Sequence, residues 1–170
     1  MSVETLQFTG EHAVVTGGAT GIGFAIAEML AAHGASVTIM GRNAERLAAK
    51  AGEIAAAHVP VDVTDPQAVA ASFAEAGKQN GEVSILVNNA GSVDARPFSK
   101  ADAEHWQATI DVNLNGVYYC TKAVVPAMLA ANRGRIVNVA STASLKGYAY
   151  VSAYCAAKHG VLGLTRALAI

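Results

Sequence analysis

Thr16-Gly17-Gly18-Ala19-Thr20-Gly21-Ile22-Gly23 decides how this 170-residue chain is read. A β-branched run, His12–Val15, leads into it. The stretch Ile22–His33 follows, with Ile22, Ile26, Met29 and Leu30 at the i, i+4, i+7, i+8 spacing of one helix face. Gly34 then supplies a common helix stop. A glycine-rich turn between a strand and a helix has a specific use. It lets backbone approach a pyrophosphate closely, and the helix beyond it offers unpaired N–H groups and a positive dipole end. Gly17, Thr20, Gly21, Ile22 and Gly23 are therefore candidate phosphate-side residues.

Outward from this turn, short apolar runs alternate with Ala-rich helical stretches. The runs are Ser36–Met40, His58–Val63, Val83–Asn88 and Arg135–Val139. None shows strict polar alternation, as expected of strands covered on both faces. Asn43–Ala57 opens on a good N-cap residue and carries Leu47 and Ile54 seven apart. Asp65-Pro66, a cap followed by proline at the first helical position, opens Pro66–Lys78. Ala103–Ala131 is longer, and Pro126 is predicted to bend or break it. A last helix runs from Val151 to Ile170 without a stop signal. Five strand–helix alternations imply βαβ units with right-handed crossovers. The fold class is α/β: a Rossmann-like, doubly wound parallel sheet in one domain spanning residues 1–170.

Composition excludes several classes. Twelve Lys and Arg face 13 Asp and Glu, a net charge of −1, and 52% of residues are hydrophobic. Intrinsic disorder needs the opposite balance, and a nucleic-acid binder needs a basic run that is missing. No apolar stretch approaches the ~20 residues of a membrane span. Cys120 and Cys155 form no framework, and the scattered histidines give no metal-site spacing. No nucleic-acid partner, membrane or metal is expected, and the setting expected is cytoplasmic.

The second strand ends in Gly41-Arg42. An acid here would bind the adenosine ribose hydroxyls of a dinucleotide; Arg42 can instead pair with a 2′-phosphate. That favours NADP over NAD, the alternative being a solvated surface arginine. Near the C-terminus, Tyr154 and Lys158 stand four apart, on one face of a helix. An unperturbed tyrosine titrates near ~10, and a neighbouring ammonium favours its phenolate. Ser141, just past the strand Arg135–Val139, would face the crevice where doubly wound folds bind ligands, its hydroxyl able to donate to a carbonyl oxygen. Asn88-Asn89-Ala90-Gly91 ends the fourth strand and could fix the same wall by amide hydrogen bonds. Asn113 lies on the next helix.

In order and spacing these motifs resemble the short-chain dehydrogenase/reductase family, of the classical type. They are Thr16-Gly-x-x-x-Gly21-x-Gly23, Asp62-Val63, Asn88-Asn-Ala-Gly91, Asn113, and Ser141 with Tyr154-x-x-x-Lys158. Around the active site the likeness is to 3-oxoacyl reductases and hydroxyacyl dehydrogenases. The resemblance implies that Tyr154 exchanges a proton with the substrate oxygen as hydride passes between nicotinamide and a carbonyl or alcohol carbon. Lys158 would lower the Tyr154 pKa and hold the nicotinamide ribose, while Ser141 would polarise the carbonyl. Asn113 would hold a water linking Lys158 to solvent. Asp62 would accept from the adenine amino group, with Val63 against the ring, and Asn89, Ala90 and Gly91 would border the cofactor. In this family arginine at the Arg42 position goes with NADP. Thr20 stands where some NADP members carry a second basic residue.

Family members continue beyond a helix such as Val151–Ile170 with further strands and a substrate-covering segment, so the fold is expected to be cut short after its fifth strand and following helix. The function expected is hydride transfer between NADP(H) and a small carbonyl or secondary alcohol substrate, with 3-oxoacyl thioesters as one class. The alternatives are a catalytically poor dinucleotide-binding fragment and an NAD-dependent hydroxyacyl dehydrogenase. A complete chain is expected to form a homodimer or homotetramer through its long helices. Specificity would depend partly on the loop Thr142–Val151.

Overall fold

β-branched residues at 12–16 and 36–41 can be covered on both sides only in the middle of a layered sheet, and there they lie. In the computed structural model, which describes residues 8–170, the chain runs β1 (His12–Thr16), α1 (Gly21–Ala32), β2 (Ser36–Gly41), α2 (Ala44–Glu53), β3 (Ala57–Pro60), α3 (Pro66–Asn80) and β4 (Ile85–Asn88). It continues through α4 (Ala103–Ile110), α5 (Gly116–Ala130), β5 (Arg135–Asn138) and α6 (Ser152–Leu168). The strands pair in parallel in the order β3-β2-β1-β4-β5. Val14 sits opposite Thr38 on one side and Leu86 on the other. The direction of winding reverses between β1 and β4, and that reversal opens a crevice at the strands' carboxyl ends.

Successive side chains of a strand point to opposite faces, so β1 feeds two cores. Val14 joins Met40, Phe73, Leu86 and Val124 in one core. Ala13 and Val15 join Ile39, Ala27, Leu47 and Val87 in the other. This double burial explains why β1 and β4 read as continuous apolar runs.

Several boundaries differ from those the sequence predicts. The apolar face of α1 is rotated: Gly23 and Ala27 are buried, with Ile26 and Leu30 packed against the core, while Ile22 and Met29 are 66% and 65% exposed. Only small residues fit where α1 crosses the sheet. Helix α2 stops at Glu53, because Ala55 takes a left-handed φ of 51° and turns the chain into β3, which begins at Ala57. Strand β3 ends at Pro60, short of Val63.

The long helix is interrupted by a single π turn at Asp111–Asn115, closed by Gly116 N–H donating to the Asp111 carbonyl. Pro126 sits inside α5 without ending it. Both Pro126 and Lys122, whose carbonyl loses its helical donor, are exposed, so water can take that bond. β5 pairs with β4 alone among the described residues, and Val137 is 51% exposed.

Candidate active site

The glycine-rich turn is built by sterics. Gly17 and Gly21 adopt φ of 64° and 50°, which side chains rarely tolerate. A Cβ on Gly23 would lie 2.4 Å from both the Gly17 carbonyl oxygen and Asn89 Nδ2, so α1 can begin this close to the turn only with glycine there. Helices α2, α3 and α4 are capped by their own side chains, Asn43, Asp65 and Asp102. Thr20, at the head of α1, supplies no side-chain cap. The first N–H groups of α1 are thus left for an external acceptor.

A groove of about 650 Å³ opens beside this turn, lined by Gly17, Thr20, Arg42, Asp62, Val63, Ala90 and Gly91 among others. It therefore gathers seven of the predicted cofactor-side residues from the ends of β1, β2, β3 and β4. Asp62 holds its loop with Oδ1, which accepts from Thr64 N at 3.0 Å and Thr64 Oγ1 at 2.9 Å. Asn89 faces the turn from the side and donates to the Thr16 and Gly17 carbonyls at 3.0 and 3.3 Å. Glycine cradle, uncapped helix and groove together fit a dinucleotide phosphate and adenosine.

Thr16 is a support that sequence reading names only as the start of a motif. Its buried Oγ1 accepts from the backbone N–H of Asn89 and Ala90, each at 3.0 Å, locking the end of β4 to the end of β1. Arg46, in the first turn of α2, also lines the groove, and no motif in the sequence marks it.

Ser141, Tyr154, Lys158 and Asn113 lie outside that groove lining, on the β5 side. Ser141 follows β5 and caps a short turn at Thr142–Ser144. Its Oγ accepts from Ala143 N at 3.1 Å, while its own N–H donates to Ser144 Oγ at 3.2 Å. A hydroxyl has one proton and two lone pairs. With a lone pair committed to Ala143, its proton is left to donate.

Tyr154 and Lys158 project from α6, with Lys158 Nζ 5.7 Å from the Tyr154 ring centroid. Lys158 is buried, donates to the Val139 carbonyl at 2.8 Å, and burial holds its pKa below the ordinary value. An ammonium carries three donors, so two remain.

Asn113 sits in the π turn and is fully buried. Its Nδ2 donates to the Ser92 and Thr109 carbonyls at 2.8 and 2.9 Å, and its Oδ1 accepts from Ser92 N at 3.2 Å. The amide thus clamps the loop after β4, and a Cβ on Gly91 would strike its Oδ1 at 2.8 Å. The next residue, Leu114, packs so closely on Gly160 of α6 that a Cβ there would meet it at 2.9 Å.

A further amide network crosses the sheet. Asn88 Nδ2 donates to Thr121 Oγ1 at 3.1 Å and to Asn138 Oδ1 at 2.8 Å, and Asn138 Nδ2 donates to Thr165 Oγ1 at 2.9 Å. It ties α5, β4, β5 and α6 into one unit. Burial pushes the Cys120 thiol up to about 12, which makes it inert.

Residues 11–170 match the family described as short chain dehydrogenase. The chain is 43% identical to 2-dehydro-3-deoxy-L-rhamnonate dehydrogenase (NAD(+)) of Sphingomonas sp. (strain SKA58), over 99% of its own length and 68% of that protein's. It is 36% identical to the 3-oxoacyl-[acyl-carrier-protein] reductase of Chlamydia muridarum, over 92% of its length and 65% of that protein's. Among solved structures, a variant of actinorhodin polyketide ketoreductase with NADPH superposes with a TM-score of 0.90 at 37% identity, covering 93% of this chain and 63% of that one. The chain thus spans roughly two thirds of the length of the relatives it matches.

Proposed function

The chain belongs to the short-chain dehydrogenase family, and from that premise we propose that it carries the nucleotide site and proton-transfer groups of an oxidoreductase acting on carbonyl or secondary alcohol carbons. Ser141 is the observation that carries this reading. One of its lone pairs is taken by Ala143 N, and its proton is free to donate at the carboxyl end of the sheet, against the helix bearing Tyr154 and Lys158. A carbonyl oxygen placed there would accept from the Ser141 hydroxyl and, as charge develops on it, receive the Tyr154 proton.

When bound, a nicotinamide ring supplies or accepts the hydride. The phosphates would lie on the turn Gly17–Gly23, beneath the uncapped N–H groups of α1, with exposed Ile22 beside them. Asp62 Oδ2, which carries no hydrogen bond among the described residues, would take the adenine amino group, with Val63 at the ring. Asn89, Ala90 and Gly91 would form the opposite wall. Lys158 would use its two remaining donors on ribose hydroxyls and on the Tyr154 oxygen. Both Asn113 Nδ2 protons are taken by Ser92 and Thr109, so a water that Asn113 holds to join Lys158 to solvent would donate to an Asn113 oxygen.

Arg42 in the groove, with no acid at the end of β2, supports NADP as the cofactor. The name of the Sphingomonas relative, which specifies NAD(+), supports the other choice. 3-Oxoacyl thioesters are the first substrate class to test, since a reductase of that class is among the relatives. Among the described residues no helix is long and apolar enough to cross a membrane. Trp106, Tyr118 and Leu168, exposed on α4, α5 and α6, support a homodimer or homotetramer through those helices.

The test is a panel of 3-oxoacyl thioesters and small ketones assayed with NADPH and with NADH. The reading expects carbonyl-dependent oxidation of NADPH at least tenfold faster than of NADH. Oxidation of NADH alone would overturn the cofactor choice, and no oxidation of either across the panel would contradict the reductase reading.

A further inference from the structure

We propose that Arg46 is a second ligand of the adenosine 2′-phosphate, closing with Arg42 into a clamp of two guanidinium groups that sets the preference for the phosphorylated dinucleotide. This rests on the reading that the groove takes NADP.

A phosphate monoester approaches two negative charges near neutral pH and is best held by more than one cation. The glycine turn offers none, since Thr20 stands at the position that could have supplied one. The groove contains only two Lys or Arg side chains among its lining residues, Arg42 and Arg46. They flank Asn43, whose side chain accepts from Arg46 N at 2.8 Å and fixes the first turn of α2. Leu47, the next residue, is fully buried in the core, so α2 cannot roll to carry Arg46 out of the groove.

Charge bookkeeping along α2 points the same way. Lys50 is engaged, pairing with Glu53 at 2.8 Å and lying 4.5 Å from the Phe24 ring centroid. Neither Arg42 nor Arg46 makes an ion pair among the described residues, although Glu45 lies between them in sequence. The groove's two acids accept from neutral donors, Asp62 Oδ1 from Thr64 and Asp111 Oδ1 from Gln107 and Asn115, and neither pairs with an arginine. Two guanidinium groups lining the groove, neither of them ion-paired among the described residues, match a phosphate there.

Adenosine 2′,5′-bisphosphate and 5′-AMP separate this inference from the reading beneath it, because they differ only in the 2′-phosphate. Their dissociation constants are measured by calorimetry for the wild type and for Arg42→Ala, Arg46→Ala and Arg46→Lys. Arg46→Ala is expected to weaken the bisphosphate about tenfold or more, the scale of one charge-assisted bond, and to leave 5′-AMP within about twofold. Arg46→Lys is expected to recover part of the loss. If Arg42→Ala weakens the bisphosphate and Arg46→Ala does not, Arg46 is no ligand while the NADP reading stands. If Arg46→Ala weakens both nucleotides equally, it acts through the fold of α2, and the clamp is overturned. A wild type that binds the two nucleotides equally, or binds neither, overturns the NADP reading and the clamp together.

Discussion

On the β1 side of the crevice the chain works through its backbone. Gly17 and Gly21 take left-handed angles, Gly23 lets α1 touch the turn, and Thr20 leaves the helix head uncapped. On the β4–β5 side it works through side-chain amides, hydroxyls and one buried ammonium: Asn88 to Thr121 and Asn138, Asn113 to Ser92, Ser141 to Ala143, Lys158 to Val139. The first arrangement suits an anion that must be met by many N–H groups at short range. The second suits a reaction in which single protons must be held at fixed atoms. Thr16 joins the two, since one hydroxyl sets the distance between the ends of β1 and β4.

If the division is real, the two sides should fail differently. Gly23→Ala should have the largest effect on the nucleotide side. Its methyl would drive into the Gly17 carbonyl at 2.4 Å, costing about 1–3 kcal/mol of stability as overpacking does and weakening NADPH binding by more than about tenfold. Chemical denaturation and fluorescence titration measure the two. A variant that kept both would reduce this glycine to an ordinary turn residue.

Asn88→Ala should act mainly on the other side. It removes the donor from buried Thr121 Oγ1 and half-buried Asn138 Oδ1, a loss of about 1–3 kcal/mol, while NADPH affinity should stay within about twofold. Loss of affinity in step with stability would show that the two sides form one unit.

The smallest effect concerns Lys158. Burial keeps its folded-state pKa below the ordinary 10.5, so between those values the unfolded chain binds more protons than the fold. Stability therefore rises with pH across that window and is lost as pH falls through the folded value. In Lys158→Met that slope should be absent from a series of denaturation curves. An unchanged slope would mean that the ammonium is solvated after all.

The same contrast explains what could be read from the sequence. Backbone devices are local: a strand, four glycines and a helix occupy adjacent residues, so the turn at Thr16–Gly23 and the groove beside it were legible. Tyr154 and Lys158 were legible because helical periodicity brings residues four apart together. The amide network was not, since Asn88 and Asn138 are 50 residues apart and Asn138 and Thr165 are 27 apart. No local pattern links them. The π turn was hidden too. Asp111–Asn115 carries no glycine or proline, while Pro126, which does suggest a break, is accommodated on an exposed face. Ile22 was misplaced because periodicity favours large apolar residues, whereas close approach of α1 to the sheet favours Gly23 and Ala27.

The most direct test of this division is Tyr154→Phe, with NADPH affinity and carbonyl-dependent turnover measured on the same preparation. Removing one hydroxyl from α6 leaves the glycine turn and the groove untouched. The dissociation constant should stay within about twofold of wild type while turnover falls about 10²–10⁴-fold, the range of a general acid. Turnover near the wild-type rate, or an affinity that collapses together with it, would contradict the account.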